Sequence, residues 1–292
     1  MWVDNGLNVT ELRFELPHLT IAGYTNNNIG KPVLLLLHGW LDNAGSFEPL
    51  FPWLSDYHVI AVDFPGHGLS DHRSVDANYH FVEWIYDIAE LIRINEWQEL
   101  VIVGHSMGGM VATVVASVLP EKINQLILIE AIGMMTTPAQ TACDQLRKAI
   151  QSRQRVAQGG SNSGNSSKTV HPSFESALAA RVGASDFSQK EASILLKRGL
   201  QASGQGFIWR TDQRLRTHSA MRFSVEQANS FVTSVKCPVL LIEGENGFKQ
   251  ISQNRQLFGP LYTNLTVSQV PGGHHCHMEY PAQVWQAIAQ TL

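Results

Sequence analysis

Short aliphatic runs punctuate the chain, each closed by polar or glycine residues and separated by stretches of helical period. Residues 33–37 end in His38-Gly39, 58–62 in Asp63, and 101–103 in Gly104-His105. Residues 126–129 end in Glu130, 239–242 in Glu243-Gly244, and 265–270 in Pro271-Gly272-Gly273. Runs this short with no polar alternation read as strands buried on both faces, as in a parallel sheet. Helical periodicity fills 46–54, 78–94, 107–119, 249–258 and 281–291. Residues 11–16 and 18–24 alternate in polarity about Pro17 and predict an antiparallel pair at the sheet edge. Strand alternating with helix places the chain in the α/β class, with a doubly wound, mostly parallel sheet. Ligands of such sheets gather beyond the carboxyl ends of the strands, where these closing polar residues fall.

The alternation stops after Ile132 and resumes at Cys237. Between them, 139–157, 173–182, 188–199 and 224–231 have helical period and no run reads as a strand. The expected organisation is a core domain of 1–132 and 237–292 with a helical cap, 133–236, inserted after the sixth strand. Residues 158–167 hold no apolar side chain and are expected to form a mobile loop.

A length of 292 residues fits one domain with a sizeable insertion, and 44% apolar residues allow a large core. Net charge is −4 with Lys and Arg scattered, so no basic stripe invites nucleic acid. Three well-separated cysteines, Cys143, Cys237 and Cys276, suggest reduced thiols. Residues 1–5 lack a signal-peptide pattern, and no apolar run approaches the roughly 18 residues of a membrane span. A cytoplasmic protein with no membrane span, acting on a small molecule, is expected.

Residues 104–108 read Gly-His-Ser-Met-Gly, a G-x-S-x-G pattern between a predicted strand and a predicted helix. That context makes a nucleophile elbow, with Ser106 on a strained turn and glycines where neighbouring backbone leaves no room. A serine hydroxyl needs a general base. His274 follows Gly272-Gly273 at the end of the last strand, with His275 and His277 as rivals. The oxyanion formed on attack needs aimed donors, for which the N–H groups of Met107 and Trp40 are positioned. The Trp40 indole is expected to wall an acyl pocket, and His38 to brace the loop. Glu130, 24 residues after Ser106, closes a buried strand, where a lone carboxylate is costly without a partner. It is the favoured acid, with Glu245 and Glu243 as alternatives. His38, Gly39, Phe64, His105 and Met134 are candidate substrate-binding residues, with Met135 beside them. Asp63 and His67 are expected to be structural, as is Arg214 in the cluster 212–215, whose alternative is an anionic substrate. The histidines near Cys276 match no standard metal spacing, so neither metal nor cofactor is expected.

Together the elbow, His38-Gly39-Trp40 and the His274 loop resemble the α/β-hydrolase superfamily. Stretches 37–43, 63–70, 104–109, 212–215 and 271–278 make the chain most similar to the serine hydrolase-like protein family. The resemblance spans essentially the whole chain and implies the α/β-hydrolase fold and a hydrolase of undefined substrate. It also implies the histidine: relatives carry Glu and Pro five and seven residues later, as Glu279 and Pro281 stand after His274. The family's commonest acid, in Gly-x-x-Asp after the seventh strand, is missing from Gly244-Glu245-Asn246-Gly247. The dehalogenase-like alternative, at the end of the sixth strand, falls on Glu130, although Ser106 replaces the aspartate nucleophile of those enzymes. The resulting expectation is a serine hydrolase of small carboxylic esters, working through an acyl-enzyme with Ser106, His274 and Glu130. A thioesterase, lactonase or carbon–carbon hydrolase with the same residues is the alternative, and a catalytically silent ligand-binding protein is another.

Overall fold

Alternate residues of each aliphatic run enter opposite faces of one sheet. Leu34 and Leu36 pack with Phe47, Phe51, Val284 and Ile288, while Leu35 and Leu37 pack with Trp84, Ile88, Val111 and Val115. All four leucines are at most 1% exposed. Each contributes about 1.5–3 kcal/mol of burial, which is why the run needs no polar alternation. The computed structural model that shows this describes residues 9–158 and 170–292. Residues 1–5, and 159–167 of the expected mobile loop, lie outside the described residues.

In chain order the strands are β1 (Thr10–Glu15), β2 (Thr20–Thr25), β3 (Val33–Leu37), β4 (His58–Val62), β5 (Leu100–His105) and β6 (Ile123–Ile129). There follow β7 (Leu200–Ser203), β8 (Gly206–Trp209), β9 (Val239–Gly244) and β10 (Leu265–Val270). Eight of them form one sheet in the order β1-β2-β4-β3-β5-β6-β9-β10. β1 and β2 pair antiparallel at one edge, as expected, β2 is antiparallel to β4, and the rest is parallel. From β3 the chain steps one way to β4 and the other way to β5. The carboxyl ends of β3 and β5 therefore flank a topological switch point, the usual crevice for a ligand.

The helices are α1 (Phe81–Ile94), α2 (Met107–Val118), α3 (Ala142–Ala157), α4 (Phe174–Val182) and α5 (Gln189–Gly199). α6 (Val225–Ser234), α7 (Lys249–Phe258), α8 (Cys276–Glu279) and α9 (Pro281–Ala289) complete them. The helical stretch expected at 46–54 is a run of 3₁₀ turns, Ala44–Trp53, with Pro49 and Pro52 inside it. Proline removes the amide donor an α-helix would need there. Two features differ from expectation in 133–236. β7 and β8 form a small antiparallel hairpin where no strand was read, because four half-exposed residues carry little pattern. α6 does not stand apart with the other helices: Ala228 and Val232 join the main core against α2.

Candidate active site

Ser106 stands between β5 and α2 with φ 51° and ψ −117°, a left-handed backbone that a non-glycine residue adopts only under constraint. The constraint is steric. A Cβ on Gly108 would lie 2.1 Å from the Leu37 carbonyl oxygen, and one on Gly104 would lie 2.5 Å from the Gly109 Cα. Strand and helix thus approach closely enough to hold the turn, and the serine is lifted clear.

Three strand ends converge on this turn. The His274 imidazole, from the loop after β10, places Nε2 2.9 Å from Ser106 Oγ. Its Nδ1 lies 3.1 Å from Glu130 Oε2, at the end of β6. Glu130 is 1% exposed and has φ 50°. Its carboxylate also accepts from the Gly244 N–H (2.8 Å) through Oε1 and from the Phe248 N–H (3.1 Å) through Oε2. A carboxylate fixed by two backbone donors holds the Nδ1–H tautomer and leaves Nε2 free to take the serine proton. The alternative acids stand elsewhere: Glu243 pairs with Arg255 at 3.0 Å, and Glu245 is exposed.

The missing aspartate has a spatial explanation. A Cβ on Gly247 would sit 2.2 Å from Glu130 Oε1 and 2.5 Å from Oε2. The Glu130 carboxylate occupies the place a side chain at 247 would enter, which accounts for a glycine on the β9 loop.

The His274 loop is held by its main chain. Asp186, between α4 and α5, accepts the His274 N–H through Oδ2 at 2.5 Å, and His105 Nε2 donates to the His274 carbonyl at 2.9 Å. The Phe248 ring stacks on the imidazole at 3.9 Å between centroids and 13° between planes. His275 instead points away from Ser106. Its Nδ1 donates to Asp186 Oδ1 at 2.6 Å and its Nε2 faces Asp42 Oδ2 at 3.3 Å. Burial alone would lower the His275 pKa, but the Asp42 and Asp186 carboxylates more than reverse this and lift it to about 9. Burial and the charge of His275 push His277 down to about 3. Asp186 and Asp42 escaped the sequence reading. Asp42 directly follows the His38–Leu41 loop, and that proximity is the only signal it gave.

That loop lies beside the elbow. Met107, the first residue of α2, has an N–H with no acceptor inside its helix. The Trp40 N–H has no acceptor among the described residues. His67 Nε2 accepts from the Leu41 N–H (3.2 Å), and His38 Nε2 accepts from the Phe64 N–H (2.9 Å). Both rings must therefore be neutral. Burial moves both pKa values down, that of His67 to about 3. The Trp40 indole is 49% exposed and its Nε1 donates to the Leu215 carbonyl at 3.3 Å.

Four of the side chains expected to bind substrate are buried. His38 and Phe64 are wholly buried, His105 is 1% exposed and Met134 2%. His38 and Phe64 pack edge to face under the loop, His105 packs against the His274 ring, and Met134 joins the core. Met135 is the exposed member of its pair. Gly39 is buried with its missing Cβ position 2.9 Å from His105 Nδ1. Asp63 is structural, accepting from Ala44 N, Leu69 N and Arg198 Nε. Arg214 also takes its structural option, pairing with Asp212 and donating to the carbonyls of Arg73, Ser74 and Ala77.

Comparison with known proteins agrees with this fold. Residues 32–257 match the family described as alpha/beta hydrolase fold. A serine hydrolase-like protein of Danio rerio is 30% identical, the match covering 97% of this chain and 88% of that one. A crystal structure of a hypothetical protein from Pseudomonas aeruginosa PAO1 superposes with TM-score 0.86 at 34% identity, covering 96% of each chain. A thioesterase domain from the curacin biosynthetic pathway does so with TM-score 0.82 at 26% identity, covering 97% of this chain and 99% of that one. The chain belongs to the α/β-hydrolase family and, within it, to the serine hydrolase-like proteins.

Proposed function

We propose that the protein is a serine hydrolase that cleaves small, largely uncharged carboxylic esters through an acyl-enzyme. The observation that carries this is the continuous relay from Ser106 Oγ through His274 to Glu130, at 2.9 and 3.1 Å. Ser106 Oγ attacks the ester carbonyl while His274 Nε2 takes its proton. The Met107 and Trp40 N–H groups receive the oxyanion. The imidazolium, stabilised by Glu130, returns the proton to the leaving alkoxide. Water then repeats the sequence on the acyl-enzyme, with His274 again as base, and releases the acid. No step calls for a cofactor.

Residues 133–236 act as a cap over this site. In support, Asp186 reaches the His274 loop, and the Leu195 carbonyl accepts from Asn43 Nδ2 at 2.9 Å. Among the described residues no helix is long and apolar enough to cross a membrane. A cytoplasmic location is proposed on the sequence pattern alone. The likeness to a thioesterase domain favours one second reading, cleavage of a thioester by the same groups. The catalytically silent reading rested on the absent aspartate, and Glu130 removes that support.

The test is labelling with a small fluorophosphonate, with the modified peptide mapped, and then parallel screens of p-nitrophenyl esters and acyl thioesters. Labelling at Ser106 that disappears in Ser106→Ala and His274→Ala, with ester turnover lost in the same variants, is expected. A folded chain that neither labels nor turns over any ester is no ester hydrolase of this kind.

A further inference from the structure

Behind the Ser106–His274 pair, on the side away from the serine, three buried side chains from three different loops point at one spot. Asp42 comes from the loop after β3, His105 from the elbow and His275 from the loop after β10. One donor atom from each lies within 4.8 Å of the others. Their tautomers are set by their outer partners. His105 Nε2–H donates to the His274 carbonyl, so its Nδ1 is a bare lone pair. That atom is buried and has no hydrogen-bond partner among the described residues, and it lies 3.7 Å from Asp42 Oδ2. His275 Nδ1–H donates to Asp186, which turns Nε2 toward the same Asp42 oxygen at 3.3 Å. The bare Nδ1 of His105, the Nε2 of His275 and a carboxylate oxygen therefore converge in a buried region, where an ion would take the place of the His275 Nε2 proton. A proton on His275 relieves one pair of these atoms and leaves His105 Nδ1 facing the carboxylate. A cation relieves all three.

We propose that Asp42, His105 and His275 bind a divalent transition metal of the zinc class. Ligand bonds of about 2.0–2.1 Å at tetrahedral angles separate the donors by about 3.3–3.4 Å; here the two nitrogen–oxygen separations are 3.3 and 3.7 Å and all three donors lie within 4.8 Å, so a small inward shift completes the set. The outer hydrogen bonds match the pattern of metal-bound imidazoles, one ring donating to a carboxylate and the other to a backbone carbonyl. The charges around the spot are balanced by exchange of a proton for the ion. Asp42 and Asp186 are two carboxylates facing Arg181, on Asp42 Oδ1, and the His275 ring between them; an ion that displaces the His275 proton keeps a cation in that place. Gly39 keeps the approach clear: a Cβ there would lie 2.9 Å from His105 Nδ1 and 3.1 Å from Asp42 Oδ2. Bound there, the ion ties the oxyanion loop, the elbow and the histidine loop together without touching the reacting atoms. Sequence spacing hides the set because each ligand comes from a separate strand end.

The test needs no substrate and is independent of the proposed esterase activity. The full chain is stripped with chelator, titrated with zinc and with cobalt, and monitored by metal content, melting temperature and visible absorption. One equivalent per chain, a melting temperature raised by several degrees, and the intense visible bands of tetrahedral cobalt are expected. Asp42→Asn and His275→Gln should lose all three signals, while His72→Ala at a half-exposed histidine keeps them. Where a variant does not fold, zinc-edge X-ray absorption of the wild-type chain decides, and it must show two imidazole ligands. A folded wild-type chain that takes up no metal overturns the proposal. So does metal retained equally by folded Asp42→Asn and His275→Gln, or an edge spectrum without imidazole.

Discussion

Replacing Glu130 by Gln keeps its shape and removes its charge, and the hydrogen bonds around it determine the damage. The carboxylate accepts three donors: the Gly244 N–H on Oε1, and the Phe248 N–H and His274 Nδ1–H on Oε2. A glutamine amide has one acceptor and one donor end. With its oxygen toward His274, its NH₂ faces the Gly244 N–H and leaves that buried donor unpaired, which costs about 1–3 kcal/mol. Turned over, its NH₂ faces Phe248 N–H and His274, and the imidazole can answer only with the tautomer that has a proton on Nε2. That tautomer cannot take the Ser106 proton. A comparable tautomer trap in a serine protease lowers turnover about 10⁴-fold. Loss of imidazolium stabilisation alone, at about 2.7 kcal/mol or more, amounts to about 100-fold. Turnover of a p-nitrophenyl ester should therefore fall by about 10²–10⁴ in kcat with KM little changed, and the melting temperature should drop by a few degrees. A folded Glu130→Gln protein within tenfold of wild type would refute the assignment. The companion experiment moves the acid. Gly247→Asp alone drives a Cβ into the Glu130 carboxylate and should destabilise the fold. Combined with Glu130→Gly, which the left-handed backbone at 130 accepts, it should regain activity over the Glu130→Gly parent.

Three further outcomes rest on contacts of the same kind. Gly108→Ala should lose at least about 2 kcal/mol of stability by urea unfolding, because its Cβ meets the Leu37 carbonyl oxygen and backbone cannot yield; an unchanged midpoint would contradict the packing of the elbow. Arg198→Met should lose about 3–5 kcal/mol, since it strips the buried Asp63 carboxylate of its guanidinium partner at 2.7 Å and leaves only backbone donors; a variant as stable as wild type would sink that estimate. His67 is held neutral by burial, with its pKa near 3 against an ordinary value near 6.5, so the unfolded chain binds its proton first on acidification. Its contribution is whole above about pH 6.5 and is lost as pH falls toward about 3, amounting to about 2 kcal/mol by about pH 5. Urea midpoints at about pH 7 and about pH 5 should differ accordingly, and less so in a folded His67→Gln variant.

The sheet was legible because parallel strands buried on both faces need unbroken aliphatic runs, and β3, β6 and β9 supply them. The β7–β8 hairpin was not, because its two four-residue strands bury only Leu200 fully and leave no run or alternation to read. Ser106 and His274 announce themselves through glycines that the close approach of backbone requires. Glu130 was readable as a carboxylate at a strand end, but its reason lies in the space over Gly247, which only folding brings within reach. Phe64, His105 and Met134 misled because adjacency in sequence to the site says nothing about which way a side chain turns. Asp186 belongs to a distant stretch with no motif, and only the packing of 133–236 onto the His274 loop reveals it.

Besides the contacts to its ring, His274 is gripped at its N–H by Asp186 and at its carbonyl by His105. Part of the alignment is thus stored in the main chain, and the imidazole is an insert in a socket that should persist without it. In His274→Ala the loop is expected to keep its course, with Phe248 forming one wall of the vacated slot and the Glu130 carboxylate its floor. Free imidazole added to that variant has a shaped place to bind, with a carboxylate waiting for its N–H. The proposed base would then become a soluble reagent, and ester turnover by His274→Ala should rise as imidazole is titrated in.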